Sequence, residues 1–216
     1  MVFDPFGRLA RYIPEEMLHQ FIRLVMTLVL IVFLYHRIRQ YPLYVVKPLW
    51  AVESLLYMVL VCAFMFRSVP CNRSRGLQEI VIPVVGSALP FALLLSPPAQ
   101  LVTENRILLY GALWWMTAAT SLTVAGMWSL RRAFSITVEA RSIISSGTYR
   151  IIRHPIYLGE MLAAAGVAFI RFCPANAVLL VLFVSIQLFR SRMEEKKLTI
   201  TFPEYSFFAA RSRWFW

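Results

Sequence analysis

Apolar runs of about twenty residues recur along this chain, and no other feature constrains its fold as tightly. A helix rises about 1.5 Å per residue, so each run can cover the roughly 30 Å hydrocarbon core of a bilayer. A helix also satisfies its own backbone groups where no water is present. Four such runs lie at roughly Met17–Tyr35, Leu49–Phe66, Glu79–Leu95 and Ile107–Leu130. The third contains Pro83, Gly86 and Pro90 and is expected to kink, and Pro97-Pro98 ends it. The fourth is the longest and carries Trp114 and Trp115. Composition agrees: 59% of the 216 residues are hydrophobic, 15% are charged and mean hydropathy is +0.65. A soluble domain of this length carries nearer a quarter charged residues.

The net charge of +11 raises nucleic acid as a partner, but its distribution argues against that. Residues 131–216 hold 12 basic and 5 acidic side chains, a net of +7; residues 1–130 hold 10 and 6, a net of +4. The basic groups gather at the ends of apolar runs, where positive-inside bias and lipid headgroups place them. No nucleic-acid motif is present, so membrane lipids are the expected partners. Asp4, Arg8, Arg11, Glu15 and Glu16 precede the first run and no small-residue cleavage site follows it. That helix is expected to be retained and not removed as a signal peptide. Arg23, within its first turns, can snorkel to the interface. Cys62, Cys71 and Cys173 show no paired or metal-type spacing and read as small apolar residues.

From Arg131 to His154 the chain is too polar to span, yet Phe134, Ile136, Val138 and Tyr149 are interleaved there as in a packed segment. A helix is expected from Pro155, which suits a first helical position, to about Phe172. Cys173-Pro174 breaks it, and a last helix runs from about Ala175 past Arg192 to near Thr199. The first of the pair is about sixteen residues, or ~24 Å, so the two form a tight hairpin that spans with its flanks. Its turn brings the two polar ends together on one face of the membrane. His154 and its neighbours should therefore meet Arg190, Arg192, Glu194 and Glu195. The fold expected is an all-α polytopic membrane protein with about five or six transmembrane helices in a single domain. Residues 1–106 supply front helices and residues 107–216 the chemically dense half. Both termini then lie on the side of the polar ends. Charge bias makes that side the cytosol, with Arg37, Arg39 and Lys47 running mildly against the trend.

Two stretches carry the chemistry. Gly147-Thr148-Tyr149 leads through Arg153-His154-Pro155-Ile156-Tyr157 to Gly159 and packs two arginines, a histidine and two tyrosines beside the bilayer. On charge alone this is a basic juxtamembrane anchor with Tyr157 in an aromatic belt. The second stretch runs from Arg190 through Glu194-Glu195 to Leu198. Arg190 and Glu194 are four apart and share a helix face. The bland reading there is an exposed ion-pair ladder. Together, however, the stretches read G-x-Y-x-x-x-R-H-P-x-Y-x-G and R-x-x-x-E-E-x-x-L, followed by F-x-E-Y at Phe202-Pro203-Glu204-Tyr205. In this order they resemble the isoprenylcysteine carboxyl methyltransferase family and its phospholipid-methyltransferase relatives, over roughly residues 107–213. The close departs from the pattern: Phe208 stands where tyrosine is usual, and Arg211-Ser212-Arg213 lacks the terminal proline.

The resemblance implies an integral membrane enzyme with S-adenosyl-L-methionine as cofactor and a cytosolic cofactor pocket. Carried over by position, Tyr149, His154 and Tyr157 contact the cofactor, and the backbone of Arg141, Ser142, Ile143 and Ile144 lines its adenosine side. Glu194 meets its amino end, Glu139 is a further cofactor contact, and Arg190 orients the methyl acceptor. Glu139 reads equally as a solvated loop charge. Methyl transfer from a sulfonium is an in-line displacement that asks mainly for positioning and exclusion of water, with no metal and no covalent nucleophile. A carboxylate acceptor could be held by Arg190 in a bidentate contact. An amine acceptor would need a base, for which Glu195 or His154 are the candidates. The leading expectation is carboxyl O-methylation of an isoprenyl or lipid-like acid taken from the bilayer. The alternatives are a phospholipid N-methyltransferase, a sterol-reductase-like enzyme and a non-catalytic membrane scaffold.

Overall fold

The computed structural model describes residues 14–68, 70–74, 76–130 and 133–214. Asp4, Arg8, Arg11 and Arg131, noted above, lie outside the described residues. The described chain is helical: α1 (Glu15–Arg39), α2 (Lys47–Met65), α3 (Gln78–Ala92), the short α4 (Gln100–Glu104), α5 (Arg106–Leu130), α6 (Pro155–Ile170), α7 (Pro174–Thr201) and α8 (Tyr205–Arg211). Five of these are long and apolar enough to cross a membrane, and α6 is a shorter apolar helix of 16 residues. The all-α polytopic architecture is thus what the run lengths require. The helices extend a few residues past the apolar runs; α1 continues to Arg39 and α7 to Thr201. Within α3 the helix passes through Pro83 and Pro90 without a break, and Ser87 Oγ donates to the Pro83 carbonyl at 2.9 Å.

Contacts at the helix ends fix their directions. Trp50 Nε1 donates to the Arg37 carbonyl at 2.8 Å, and Arg37 pairs with Glu53 at 2.9 Å, so α1 ends where α2 begins. Arg23, near the start of α1, donates to the Met65 carbonyl at the end of α2. Lys197, late in α7, pairs with Glu79 at the start of α3 at 2.5 Å. At the other end, Asn176 at the start of α7 donates to the Leu93 carbonyl just past α3, at 3.2 Å. Six antiparallel passes result. One end of the bundle gathers the start of α1, the end of α2, the start of α3, the end of α5, the start of α6 and the end of α7. The other holds the α6–α7 turn.

The closest crossing is α5 against α6. A Cβ built at Gly159 would fall 2.2 Å from Thr123 Oγ1 and 2.8 Å from the Ala119 carbonyl. A Cβ at Gly126 would fall 2.8 Å from Ile156 Cγ1. Small residues let the two backbones meet, which in lipid substitutes for the hydrophobic effect that water supplies elsewhere. One buried cluster joins α2, α5 and α6 through Val59, Ala63, Val124, Met127, Ile156 and Tyr157. A second joins Leu93, Ala164, Ala168 and Phe183 toward the hairpin turn. By contrast α1 rests on α2 and exposes Phe21, Leu24, Leu28, Ile31 and Val32, as a lipid-facing helix does.

The loop from Ala133 to His154 is packed, as its interleaved apolar residues suggest: Val138 and Ala140 are fully buried. It is pinned from the front half. Cys71 and Asn72 donate their backbone N–H to the Ala140 carbonyl at 2.9 and 3.1 Å. Ser74 Oγ donates to the Val138 carbonyl at 2.9 Å, and Lys197 Nζ reaches the same oxygen at 3.0 Å. Two cysteines do more than fill apolar space. Cys71 Sγ donates to the Arg141 carbonyl at 3.2 Å, and Cys173 Sγ caps α7 by accepting the Asn176 N–H at 3.4 Å.

Candidate functional site

The packed loop, the start of α6, the end of α7 and α8 line a cavity of about 130 Å³ at the gathered polar end of the bundle, partly open to solvent. The hairpin performs the expected juxtaposition for Arg190, Glu194 and Glu195, whereas Arg192 lies over the Trp214 ring. Glu139, Arg141, Ser142, Ile143, Ile144, Tyr149, His154, Tyr157, Arg190 and Glu194 all line this cavity. Glu195 does not; it points to the loop behind.

Local sequence explains each placement. Gly147 adopts φ +62°, a conformation most side chains avoid, and a Cβ there would fall 2.3 Å from Ser129 Oγ. The tight turn it permits starts the 3₁₀ turn Gly147–Arg150 that presents Tyr149. His154 precedes α6, and Pro155 at the first helical position sets the helix direction. Tyr157, one turn along, stacks on His154 with ring centroids 5.6 Å apart and planes 8° apart. The Tyr157 hydroxyl donates to Glu194, and the Arg190 guanidinium lies over the Tyr157 ring, 4.9 Å from its centre. The i, i+4 pair of α7 therefore grips one tyrosine between a cation and a carboxylate.

Arg190 is buried and deliberately oriented by its neighbours. Its Nη1 donates to Gln187 Oε1 at 3.0 Å and its Nη2 to the Ile136 carbonyl at 3.1 Å, while Nε meets no acceptor among the described residues. The Gln187 amide nitrogen donates in turn to Glu160. Behind the cavity, Glu195 Oε1 holds His154 Nε2 at 3.0 Å and Arg153 Nη1 at 3.0 Å. Arg153 also donates its N–H to the Arg213 carbonyl at 2.8 Å, and the Arg213 N–H returns to the Ile151 carbonyl at 2.9 Å. The tail that departs from the family pattern is thus docked as a strap beneath the histidine.

Glu139 is not a solvated loop charge: its side chain is 8% exposed. It accepts from Ser135 Oγ at 3.0 Å, Thr137 Oγ1 at 3.1 Å, Arg67 Nη2 at 3.3 Å and Arg141 Nη2. Burial pushes the Arg67 guanidinium below its ordinary range, with Arg141 beside it acting in the same direction. Loss of hydration pushes the Tyr149 and Tyr205 phenols up, so both face the cavity as neutral hydroxyls.

Glu160 on the cavity wall, and Gln187 and Arg67 behind it, carry no part in the motifs. Glu160 is the sole charged group in α6, and an ionisable residue inside an apolar helix is itself a signal. Gln187 sits three residues before Arg190 in an apolar run, a similar mark. Arg67 gives no such mark, because its partner lies 72 residues away in sequence.

The walls suit a ligand that carries both charges and a flat apolar part. Glu194 and Glu160 can face a cation. Arg141 and Arg190 have buried N–H groups with no acceptor among the described residues, able to face an anion. Tyr149, Ile143 and Ile144 supply apolar surface. Residues 112–200 match the model of the isoprenylcysteine carboxyl methyltransferase (ICMT) family. No curated protein matches the chain.

Proposed function

We propose that the chain, whose residues 112–200 match the isoprenylcysteine carboxyl methyltransferase family model, is a member of that family and methylates the carboxylate of a lipophilic acid with S-adenosylmethionine as cofactor. The observation that carries this reading is the pair Arg190 and Glu194, four residues apart on α7, which grip Tyr157 inside one cavity at the polar end of the bundle. S-adenosylmethionine, when bound, supplies a methyl group already activated on a sulfonium.

The chain's own residues then have limited tasks. Glu194 takes the cofactor's ammonium, and Tyr149, Tyr157 and the 141–144 backbone surround the rest. His154, held by Glu195, closes the loop side. Arg190 holds the acceptor carboxylate; that group is already ionised at neutral pH, so no base is needed and the work is alignment and exclusion of water. The apolar groove of Met58, Cys62, Phe66, Met127 and Trp128 between α2 and α5 offers the acceptor's chain a seat facing lipid. Twelve described basic residues lie toward the cavity end of the bundle and five (Arg37, Arg39, Lys47, Arg106, Arg171) toward the other. By the positive-inside rule the cavity then faces the cytosol.

One observation favours a second reading. Glu160 places another carboxylate on the cavity wall, which would suit an amine acceptor and N-methylation.

Calorimetric titration of the detergent-purified protein with S-adenosylhomocysteine tests the assignment. Micromolar binding to the wild type, lost in Glu194→Ala and in His154→Ala while both remain folded, is the expected result. Unchanged binding in both variants removes the site assignment.

A further inference from the structure

The loop wall of the cavity holds more positive charge than the protein neutralises. Arg67 and Arg141 converge on one carboxylate, Glu139, with side chains 8%, 1% and 8% exposed respectively. Glu139 is already saturated: Oε1 takes Thr137, and Oε2 takes Ser135, Arg67 and Arg141. Two guanidiniums against one carboxylate leave a surplus of one buried positive charge. Arg141 retains Nε and Nη1 buried and without an acceptor among the described residues. A buried charge without a partner is costly, and an unmet buried donor adds to that cost. The same residue lines the cavity. The backbone on either side of it is fixed by the Ala140 bridge to Asn72 and by Cys71 Sγ on the Arg141 carbonyl, so the side chain is held in place.

We infer that Arg141, supported by Arg67 through their shared Glu139, is an anion subsite that takes a carboxylate of a ligand bound in the cavity. The inference rests on the methyltransferase reading for the ligand's identity, and it extends that reading from the backbone of residue 141 to its side chain. Two carboxylates enter the proposed reaction, one on the cofactor's amino-acid end and one on the acceptor. Among the described residues three lining arginines keep unmet N–H groups: Arg190 on the hairpin, Arg141 on the loop, and Arg153, whose charge Glu195 already pairs. Arg190 lies over the ring of Tyr157, which packs in one buried cluster with Val59, Ala63 and Met127 of the groove proposed for the acceptor's chain. Arg141 is therefore assigned the cofactor's carboxylate.

The test compares two ligands on two proteins. S-adenosylhomocysteine and its decarboxylated analogue, which keeps the amine, are titrated into the wild type and into Arg141→Met. The wild type should prefer the carboxylate form by about 10–100-fold, the value of a charge-assisted contact. In Arg141→Met that preference should collapse to within about threefold, and Arg141→Lys should recover part of it. If the wild type shows no preference, the same comparison with N-acetyl-S-farnesylcysteine and its neutral amide decides whether the acceptor's carboxylate is the occupant. No loss of discrimination with either pair overturns the subsite.

Failure of the methyltransferase reading looks different. A wild type that binds neither form of the nucleoside defeats that reading, and inorganic phosphate then judges the subsite alone. Phosphate should raise the unfolding temperature of the wild type and not of Arg141→Met; equal response in both overturns the inference. The ligand-free proteins give a further check. Removing a surplus buried cation should leave the unfolding temperature unchanged or raise it, whereas a fall with discrimination intact would make Arg141 a structural latch.

Discussion

The two ends of the α6–α7 hairpin are both polar and both buried, yet they are finished to different degrees. At the turn, Asn176 is 1% exposed and has every side-chain group used. Its Nδ2 donates to the Leu93 and Arg171 carbonyls at 3.2 and 2.8 Å, and its Oδ1 accepts from Ser96 at 3.1 Å. Arg171 closes the same knot by donating to the Leu94 and Ser96 carbonyls. At the cavity end, Arg141, Arg153 and Arg190 keep buried N–H groups that no acceptor among the described residues meets. A closed network specifies a fold, and an open one of the same polarity stores capacity for a ligand. One helix pair carries both, separated by its own length.

The largest effect that can break this comparison is expected at the open end. Arg190→Met keeps the apolar stem of the side chain but removes the charge that would hold the acceptor. Methyl transfer should fall by about 10³-fold, equivalent to ~4 kcal/mol of transition-state stabilisation. Thermal unfolding in detergent should move by no more than a few degrees, because Gln187 and Glu160 keep their own contact. A protein that loses its fold with its activity would place Arg190 in the closed class after all.

The sequence foretold the helices because their signal is local: run length decides spans, and Cys173-Pro174 decides the turn. It also foretold the cavity walls on the back half, because Arg190 and Glu194 share a face by spacing alone and the short α6 forces His154 to meet them. What it hid was pairing across distance. Arg67 to Glu139 and Ser74 to Val138 join the front half to the loop over 72 and 64 residues, and Lys197 ties α7 to Glu79 over 118 and to the Val138 carbonyl over 59. Such contacts leave no periodic trace. The front half, read as motif-free, thus proves to be the part that holds the cavity loop in place. Asn176 was equally silent, since a lone asparagine in an apolar helix says nothing of the three partners the fold brings to it.

An intermediate effect is expected at the closed end. Asn176→Leu preserves size and polarity falls away, depriving the Leu93 and Arg171 carbonyls of its donors and leaving the Ser96 hydroxyl only Cys173 Sγ. Interhelical hydrogen bonds in lipid are worth on the order of 0.6 kcal/mol each, and a buried group left unmet costs more, so a loss of about 2–3 kcal/mol is expected. Equilibrium unfolding in a mild detergent measures it. Specific activity of the folded fraction should be unchanged, which is the mark of a network that serves the fold alone. A Glu194-like loss of cofactor binding in this variant would erase the distinction between the two ends.

The smallest effect sharpens the comparison from inside the open end. Glu195 holds His154 and Arg153 but does not line the cavity, so it is a positioning residue in the carboxyl-methylation reading. Glu195→Gln retains a hydrogen-bonding group toward His154 while losing the charge that gathers Arg153. The expected result is a three- to tenfold weaker affinity for S-adenosylhomocysteine, about 1 kcal/mol, with kcat at saturating cofactor nearly that of the wild type. An acceptor that must lose a proton would give the opposite split, because Glu195 acting through His154 would then serve the proton transfer itself. In that case kcat falls by 10²-fold or more while cofactor affinity holds. The direction of the split therefore separates an ionised carboxylate from an amine as the group that is methylated, without the acceptor's chain having to be known.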